Sequence, residues 1–216
     1  MNATLDLRPR LTVLPAHERE RLERRARLLA WGGNGWHVIE FAIAVAAGVA
    51  AGSVALVGFG IDSAIELLAG GVILWLFSGG RGASHQAERH AQRLIAASYA
   101  LLVVYILVEA VRDLARGQHT SASWVGIGLA AFTAVTMPLL AAAKRRVGHR
   151  LHSSAAVSEA GQNMLCAYLS VALFVGLLAN ALSGWWWADP AAALVIAAVA
   201  ASEGAAAWHG KSCDCC

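Results

Sequence analysis

Asp62 and Glu66 stand four residues apart in the apolar stretch Gly-Phe-Gly-Ile-Asp-Ser-Ala-Ile-Glu, residues 58 to 66. On a helix this spacing puts both carboxylates on one face, about 6 Å apart along the axis. Two hard oxygen donors so placed can reach one cation. On a later apolar stretch Glu159, Gln162 and Cys166 fall at i, i+3 and i+7, again on one face. Carboxylate, amide oxygen and thiolate, facing the first pair, could complete a four-coordinate site for a borderline or soft divalent metal. For Gln162 or Cys166 alone, the competing reading is a hydrogen bond between helices of a bundle. For Asp62 with Glu66 that reading is weak, because two like charges in an apolar medium hold helices together poorly.

The elements that must position these groups follow from composition. The chain has 216 residues, 58% hydrophobic and 14% charged, with a mean hydropathy of +0.56, values that imply a membrane protein. Six helices of about 20 residues would use about 120 positions, which leaves no room for a separate soluble catalytic domain. Apolar runs of spanning length occur at 31–52, 54–78, 94–115, 123–143, 154–181 and 188–207. The expected fold is all-α, with six transmembrane helices between a polar arm at 1–29 and a Cys-rich tail at 209–216. In that arm, Glu18 to Arg27 alternates both charge signs and reads as a solvated or membrane-surface helix. Glu66 then lies about 18 Å from either end of the second span, near mid-membrane. Ala51, Gly52 and Ser53 read as a tight turn, Pro138 as a kink, and Asp189 with Pro190 as the cap and first residue of the last helix. Fifteen of the seventeen Lys and Arg fall on one side of these spans and only Arg112 and Arg116 on the other, so both termini are expected in the cytoplasm. Trp124 and Trp185 to Trp187 mark outer helix ends, and Trp31, Trp36 and Trp208 inner ones, as an interfacial belt would.

Glu40, Asp62, Glu66, Glu109 and Glu159 lie inside the spans, while the basic residues gather at helix ends. An ionisable group at membrane depth costs at least about 2.5 kcal/mol, so it ordinarily faces a cavity and marks an ion or proton route. Carboxylates without basic partners at depth call for protons or a metal cation.

With these residues in place, Gly52 to Glu66 resembles the second helix of the cation diffusion facilitator transporters, whose motif there is a His or Asp followed four residues later by an Asp. Ser158-Glu-Ala-Gly-Gln-Asn-Met-Leu-Cys166 resembles that family's Ala-Asp-Ala-x-His-x-x-x-Asp pattern in the fifth helix, in a degraded form. The resemblance covers about residues 28 to 210. It implies that Asp62 and Glu66 are the paired ligands of the second helix, that Gln162 and Cys166 take the places of the His and Asp of the fifth, and that Glu159 matches the acidic position before them. It further implies export of a divalent metal such as zinc against protons, by alternating access around a mid-membrane tetrahedral site in a homodimer. Gln162 and Cys166 change the donor set and with it the softness preference. The resemblance is to the short members that lack the cytoplasmic C-terminal domain.

Weaker signals surround this core. His37 and Glu40, three apart on the first span, share a face and suit an entry site, a proton relay or a hydrogen-bonded pair. Glu109, near the outer end of the third span, is explained by interfacial snorkelling. His85, Glu88 and His90 form a polar loop with metal-capable side chains. Cys213, Cys215 and Cys216 beside His209 suit capture of Zn, Cd or Cu(I), against the alternatives of an incidental disordered end or a lipidation site. The sequence carries no Ser-His-acid set and no His-Glu-x-x-His, so an enzyme is disfavoured, and no resident cofactor is expected. The basic clusters follow membrane topology and not nucleic-acid binding. The function expected is a proton-coupled exporter of Zn, or of Cd or Co, in a membrane for which the Ala, Gly and Arg bias fits a bacterial plasma membrane. The rival classes are a metal sensor or buffer without transport and an organic-cation antiporter.

Overall fold

The computed structural model describes residues 15–77, 85–117, 120–151 and 153–209. Its regular structure is six helices: α1 (Ala16–Ala51), α2 (Val54–Phe77), α3 (His85–Arg116), α4 (Trp124–Leu151), α5 (Ser154–Ser183) and α6 (Ala188–Trp208). Among the described residues, α1, α2, α4, α5 and α6 are long and apolar enough to cross a membrane. In α3, Leu101, Val104, Leu107, Val108 and Val111 form an exposed apolar face of the kind lipid covers.

Hydrogen bonds fix the direction of each helix. The α1–α2 turn meets the α3–α4 connection through Ser121 N–H to Ala51 O at 2.9 Å, and Asn180 near the end of α5 donates to Thr120 O at 2.8 Å. These elements share one end of the bundle. At the other end Arg150 of α4 pairs with Glu18 of α1. Successive helices therefore run antiparallel. α2 packs against α1, α3, α5 and α6, which makes it the central element.

The α1–α2 and α4–α5 hairpins repeat one another 100 residues apart. Gly48 O accepts from Ser53 N at 2.9 Å, and Gly148 O from Ser153 N at 3.0 Å. Ser53 Oγ then caps Leu56 N at 3.0 Å, as Ser153 Oγ caps Ala156 N at 3.3 Å. Because their turns lie at opposite ends, the two hairpins are inverted copies. The same offset pairs Asp62 with Gln162 and Glu66 with Cys166, so the repeat brings both chemical faces to the middle of the bundle.

Close packing at these turns depends on glycine. A Cβ on Gly48 would meet the backbone N of Val57 at 2.8 Å, whereas one on Gly148 would meet Val157 N at 3.1 Å. Gly48→Ala is expected to destabilise by about 1–3 kcal/mol, because backbone cannot move aside as a side chain can. Gly148→Ala should be close to neutral, since the milder contact is offset by the helix preference of Ala over Gly, about 0.5–1 kcal/mol. Thermal unfolding of both variants in detergent checks the order; equal melting temperatures would refute it.

Several expectations need correction. α1 runs unbroken through residue 29, with Leu22 and Ala26 already buried, so the arm is in part the first turns of the spanning helix. His85, Glu88 and His90 lie in α3 and not in a loop, and their side chains are outside the described residues. α4 continues to Leu151, two turns past the expected end. Asp189 lies within the first turn of α6 and does not cap it; its carboxylate accepts from Ser53 Oγ at 2.5 Å and Ala55 N at 3.4 Å, tying α6 to the start of α2. Trp36 packs on Phe132 with ring centroids 4.7 Å apart, about 22 Å from the α1–α2 turn. Trp185 and Trp187 do stack at the α5–α6 end, 5.4 Å apart and half exposed.

Candidate metal centre

α2 turns Asp62 and Glu66 inward because its buried positions, Phe59, Asp62, Ser63 and Glu66 among them, follow the helical period. α5 brings Cys166 to them, buried at 1% exposure. One carboxylate oxygen of Asp62, one of Glu66 and the Cys166 sulfur all lie within 4.8 Å of one another. Gln162, one turn along α5, lines the same small cavity, whose remaining walls include Tyr99 of α3 and Val199, Ala200 and Glu203 of α6. Four of the five primary candidates, Asp62, Glu66, Gln162 and Cys166, thus share one cavity.

Glu159 is not among them. Lys144 Nζ of α4 donates to it at 2.7 Å, both side chains being buried, and the pair lines a separate crevice with Ala26, Leu29, Val147 and Ala156. The expectation that carboxylates at depth lack basic partners therefore fails for Glu159. Its cause is Lys144, which sits on the inward face of a helix longer than the apolar run.

His37 and Glu40 do join the centre, from behind. His37 Nδ1 is 3.2 Å from Glu40 Oε2 and 3.3 Å from Glu66 Oε2. Glu40, fully buried, also accepts from Ser63 Oγ at 3.0 Å and from Thr133 Oγ1. His37 Nε2 is 3.2 Å from Asn163 Nδ2 of α5. Ser63, Thr133, Asn163, Tyr99 and Glu203 are residues that sequence reasoning missed. Ser63 and Asn163 each follow a named candidate by one residue, and Thr133 lies on the small-residue ladder of α4, so helical phase was the signal available. Glu109, set aside on the sequence, is partly exposed and ion-paired at 2.5 Å with Arg112, which is half exposed. Cys213, Cys215 and Cys216 lie outside the described residues.

Chemically, the centre is a buried group of oxygens and one sulfur, excluded from lipid by the bundle and reached through a cavity lined by a further carboxylate. A group of this composition attracts a dehydrated cation and repels an anion. A family model described as the cation efflux transmembrane domain matches residues 37–206, a range that holds His37, both Asp62 and Glu66, and both Gln162 and Cys166. The chain belongs to the cation efflux family. It is accordingly a membrane protein and a metal cation transporter of the cation diffusion facilitator kind, whose cargo is a divalent metal. No curated relative matches the chain.

Proposed function

We propose that this cation efflux protein exports a zinc-like divalent metal from the cytoplasm in exchange for protons, with Asp62, Glu66, Gln162 and Cys166 as the transport site. The observation that supports this reading best is the convergence of Asp62, Glu66 and Cys166 ligand atoms within 4.8 Å, beside a cavity walled by α3 and α6. Carboxylates and a thiol must be deprotonated to ligate, so metal and protons compete for the same atoms, and exchange between them is the simplest coupling. Rocking of α3 and α6 against the other helices would open the cavity to one side and then the other. Both termini face the cytoplasm of a bacterial plasma membrane in this reading, and the protein works as a homodimer. Glu159, held by Lys144, takes no part as a ligand.

The test is metal uptake into proteoliposomes that hold a metal-sensitive dye, under an imposed pH gradient, with Zn, Cd, Co and Mn compared. Gradient-driven movement of one or more of them supports the proposal. Saturable binding without movement would leave a metal buffer or sensor, and competition by organic cations would favour their antiport instead. The sulfur donor sets a second expectation. Cys166→Ser replaces a soft ligand by a hard one, so the flux ratio of Cd to Mn should fall by about 10-fold or more, a change of at least about 1.4 kcal/mol in relative affinity. An unchanged ratio would remove Cys166 from the coordination sphere.

A further inference from the structure

Behind the transport cavity, Glu66 belongs to a second group of ligand atoms. His37, Glu40 and Glu66 each offer one atom, all within 4.8 Å of one another, and all three side chains are buried. Two distances decide what this group is suited to. A histidine bound to a carboxylate by a charge-assisted hydrogen bond closes to about 2.7–2.9 Å. His37 Nδ1 lies 3.2 Å from Glu40 Oε2, a hydrogen bond at the long end of the ordinary range, and 3.3 Å from Glu66 Oε2, and so stands between two oxygens. Two metal bonds of about 2.0–2.1 Å at the tetrahedral angle place their ligand atoms about 3.3–3.4 Å apart. The distances from the imidazole nitrogen to the two carboxylates thus match two edges of a coordination tetrahedron.

One buried acceptor at this position, and one beside the far edge of the His37 ring, also lack hydrogen bonds. Glu66 Oε2, 3.3 Å from His37 Nδ1, has no hydrogen-bond partner; on the far side of the ring the Asn163 amide meets His37 Nε2 at 3.2 Å, and turned end for end its unpartnered Oδ1 would accept from Nε2–H and leave Nδ1 free to ligate. Both side chains are at least nine-tenths buried, Glu66 at 5% exposure and Asn163 at 2%. A buried acceptor without a partner costs about 1–3 kcal/mol, a cost that a cation beside Glu66 and His37 would remove. Ser63 and Thr133 already hold Glu40 by hydrogen bonds, as outer hydroxyls and amides hold the ligands of settled metal sites.

We infer that the interior of the α1–α2–α4–α5 bundle holds a second divalent-metal position, ligated by His37 Nδ1, Glu40 and Glu66, adjacent to the transport site and joined to it through Glu66. Its donors are one nitrogen and two oxygens, against three oxygens and a sulfur in the cavity. It therefore takes a borderline divalent ion such as Zn²⁺ or Co²⁺ and, lacking sulfur, leaves a different spectroscopic signature. The inference rests on the geometry around His37 and stands apart from the transport reading.

The test uses the full-length protein in detergent, with Cys213, Cys215 and Cys216 replaced by Ser so that the tail binds nothing, and Co²⁺ alone as the probe. Asp62→Asn with Cys166→Ser removes the cavity site. That variant should retain one Co²⁺ per chain after desalting, with tetrahedral d–d absorption and no thiolate-to-cobalt band. Adding His37→Gln, or separately Glu40→Gln, should then abolish the retained metal, with an unchanged helical circular-dichroism spectrum showing that the bundle remains folded. The inference is overturned if the Asp62/Cys166 variant holds no Co²⁺, a result that needs no His37 variant to interpret. It is equally overturned if the retained Co²⁺ survives both His37→Gln and Glu40→Gln. Vesicles that show no metal flux while the bundle position still loads would sink the transport proposal and leave this inference standing.

Discussion

Replacing Asp62 by Ala is expected to reduce metal flux to the background of empty vesicles, at least about 100-fold, while the folded protein becomes no less stable. The magnitude follows from coordination: changes to residues that only support a ligand already cost about 10–100-fold, and Asp62 is read as a ligand itself. Its loss leaves Glu66 and Cys166 as the only anionic donors of the cavity set. The stability expectation has a separate origin. Asp62 is 4% exposed among other acidic groups, so its carboxylate is held in the apo protein against desolvation and like-charge repulsion. A methyl group in its place relieves both. Activity and stability should therefore move in opposite directions, as they do where a site is built at the expense of the fold. Flux in proteoliposomes and melting in detergent measure the two. Glu109→Gln, on an exposed ion pair at the membrane edge, is the matched control and should transport normally. Flux retained by Asp62→Ala would remove the cavity as the metal path.

The paired carboxylates were legible in the sequence because helical spacing alone places them, and because charge at membrane depth is too costly to be incidental. The partners from α5 were legible for the same reason, since Gln162 and Cys166 lie on one face. What could not be read was which way each face turns. Glu159 shares its face with Gln162, yet α4 supplies Lys144 to it, and only the packing of α4 on α5 reveals that. The buried stripe of α4 runs Gly126, Ala130, Thr133, Met137, Ala141, Lys144 and Gly148 at steps of three and four. Lys144 continues this ladder and its neighbours Arg145 and Arg146 do not, but an apolar run ends at Ala143, and hydropathy stops the helix there. In α1 the corresponding ladder, Ala30, Gly33, His37, Glu40, Ala44 and Gly48, carries His37 and Glu40 to the back of the site. The inverted repeat was hidden for a different reason. The hairpins keep only the residues the turn demands, such as Gly48 and Gly148 or Ser53 and Ser153, while the surrounding apolar positions are interchangeable under the loose shape requirements of a bundle. Asp189 followed by Pro190 reads as a cap from local propensity, and the tertiary contact with Ser53 overrides it.

The ion pair of Lys144 with Glu159 yields the second large effect. Its side chains are 4% and 8% exposed and 2.7 Å apart, so each charge is tolerated only because of the other. Lys144→Met is expected to destabilise by about 3–5 kcal/mol, since it strands a buried carboxylate. Glu159→Gln should cost less, because an amide can still accept from Lys144. The double variant Lys144→Met/Glu159→Leu should recover most of the loss, as buried ion pairs replaced by apolar groups of similar volume are often near neutral. Thermal unfolding of the single and double variants in detergent, taken as a double-mutant cycle, measures the coupling. Additive losses would show that the two groups do not depend on each other. The functional side of the same cycle separates two roles for Glu159. If it were a transport ligand, the double variant would recover stability but not flux; held by Lys144, one turn along α5 from Gln162, it should leave flux within about twofold of wild type once stability is restored, a difference of about 0.4 kcal/mol. Lys144 then has a definite place in the design: it neutralises the one carboxylate on the site face of α5 that would otherwise compete with the cavity for the metal.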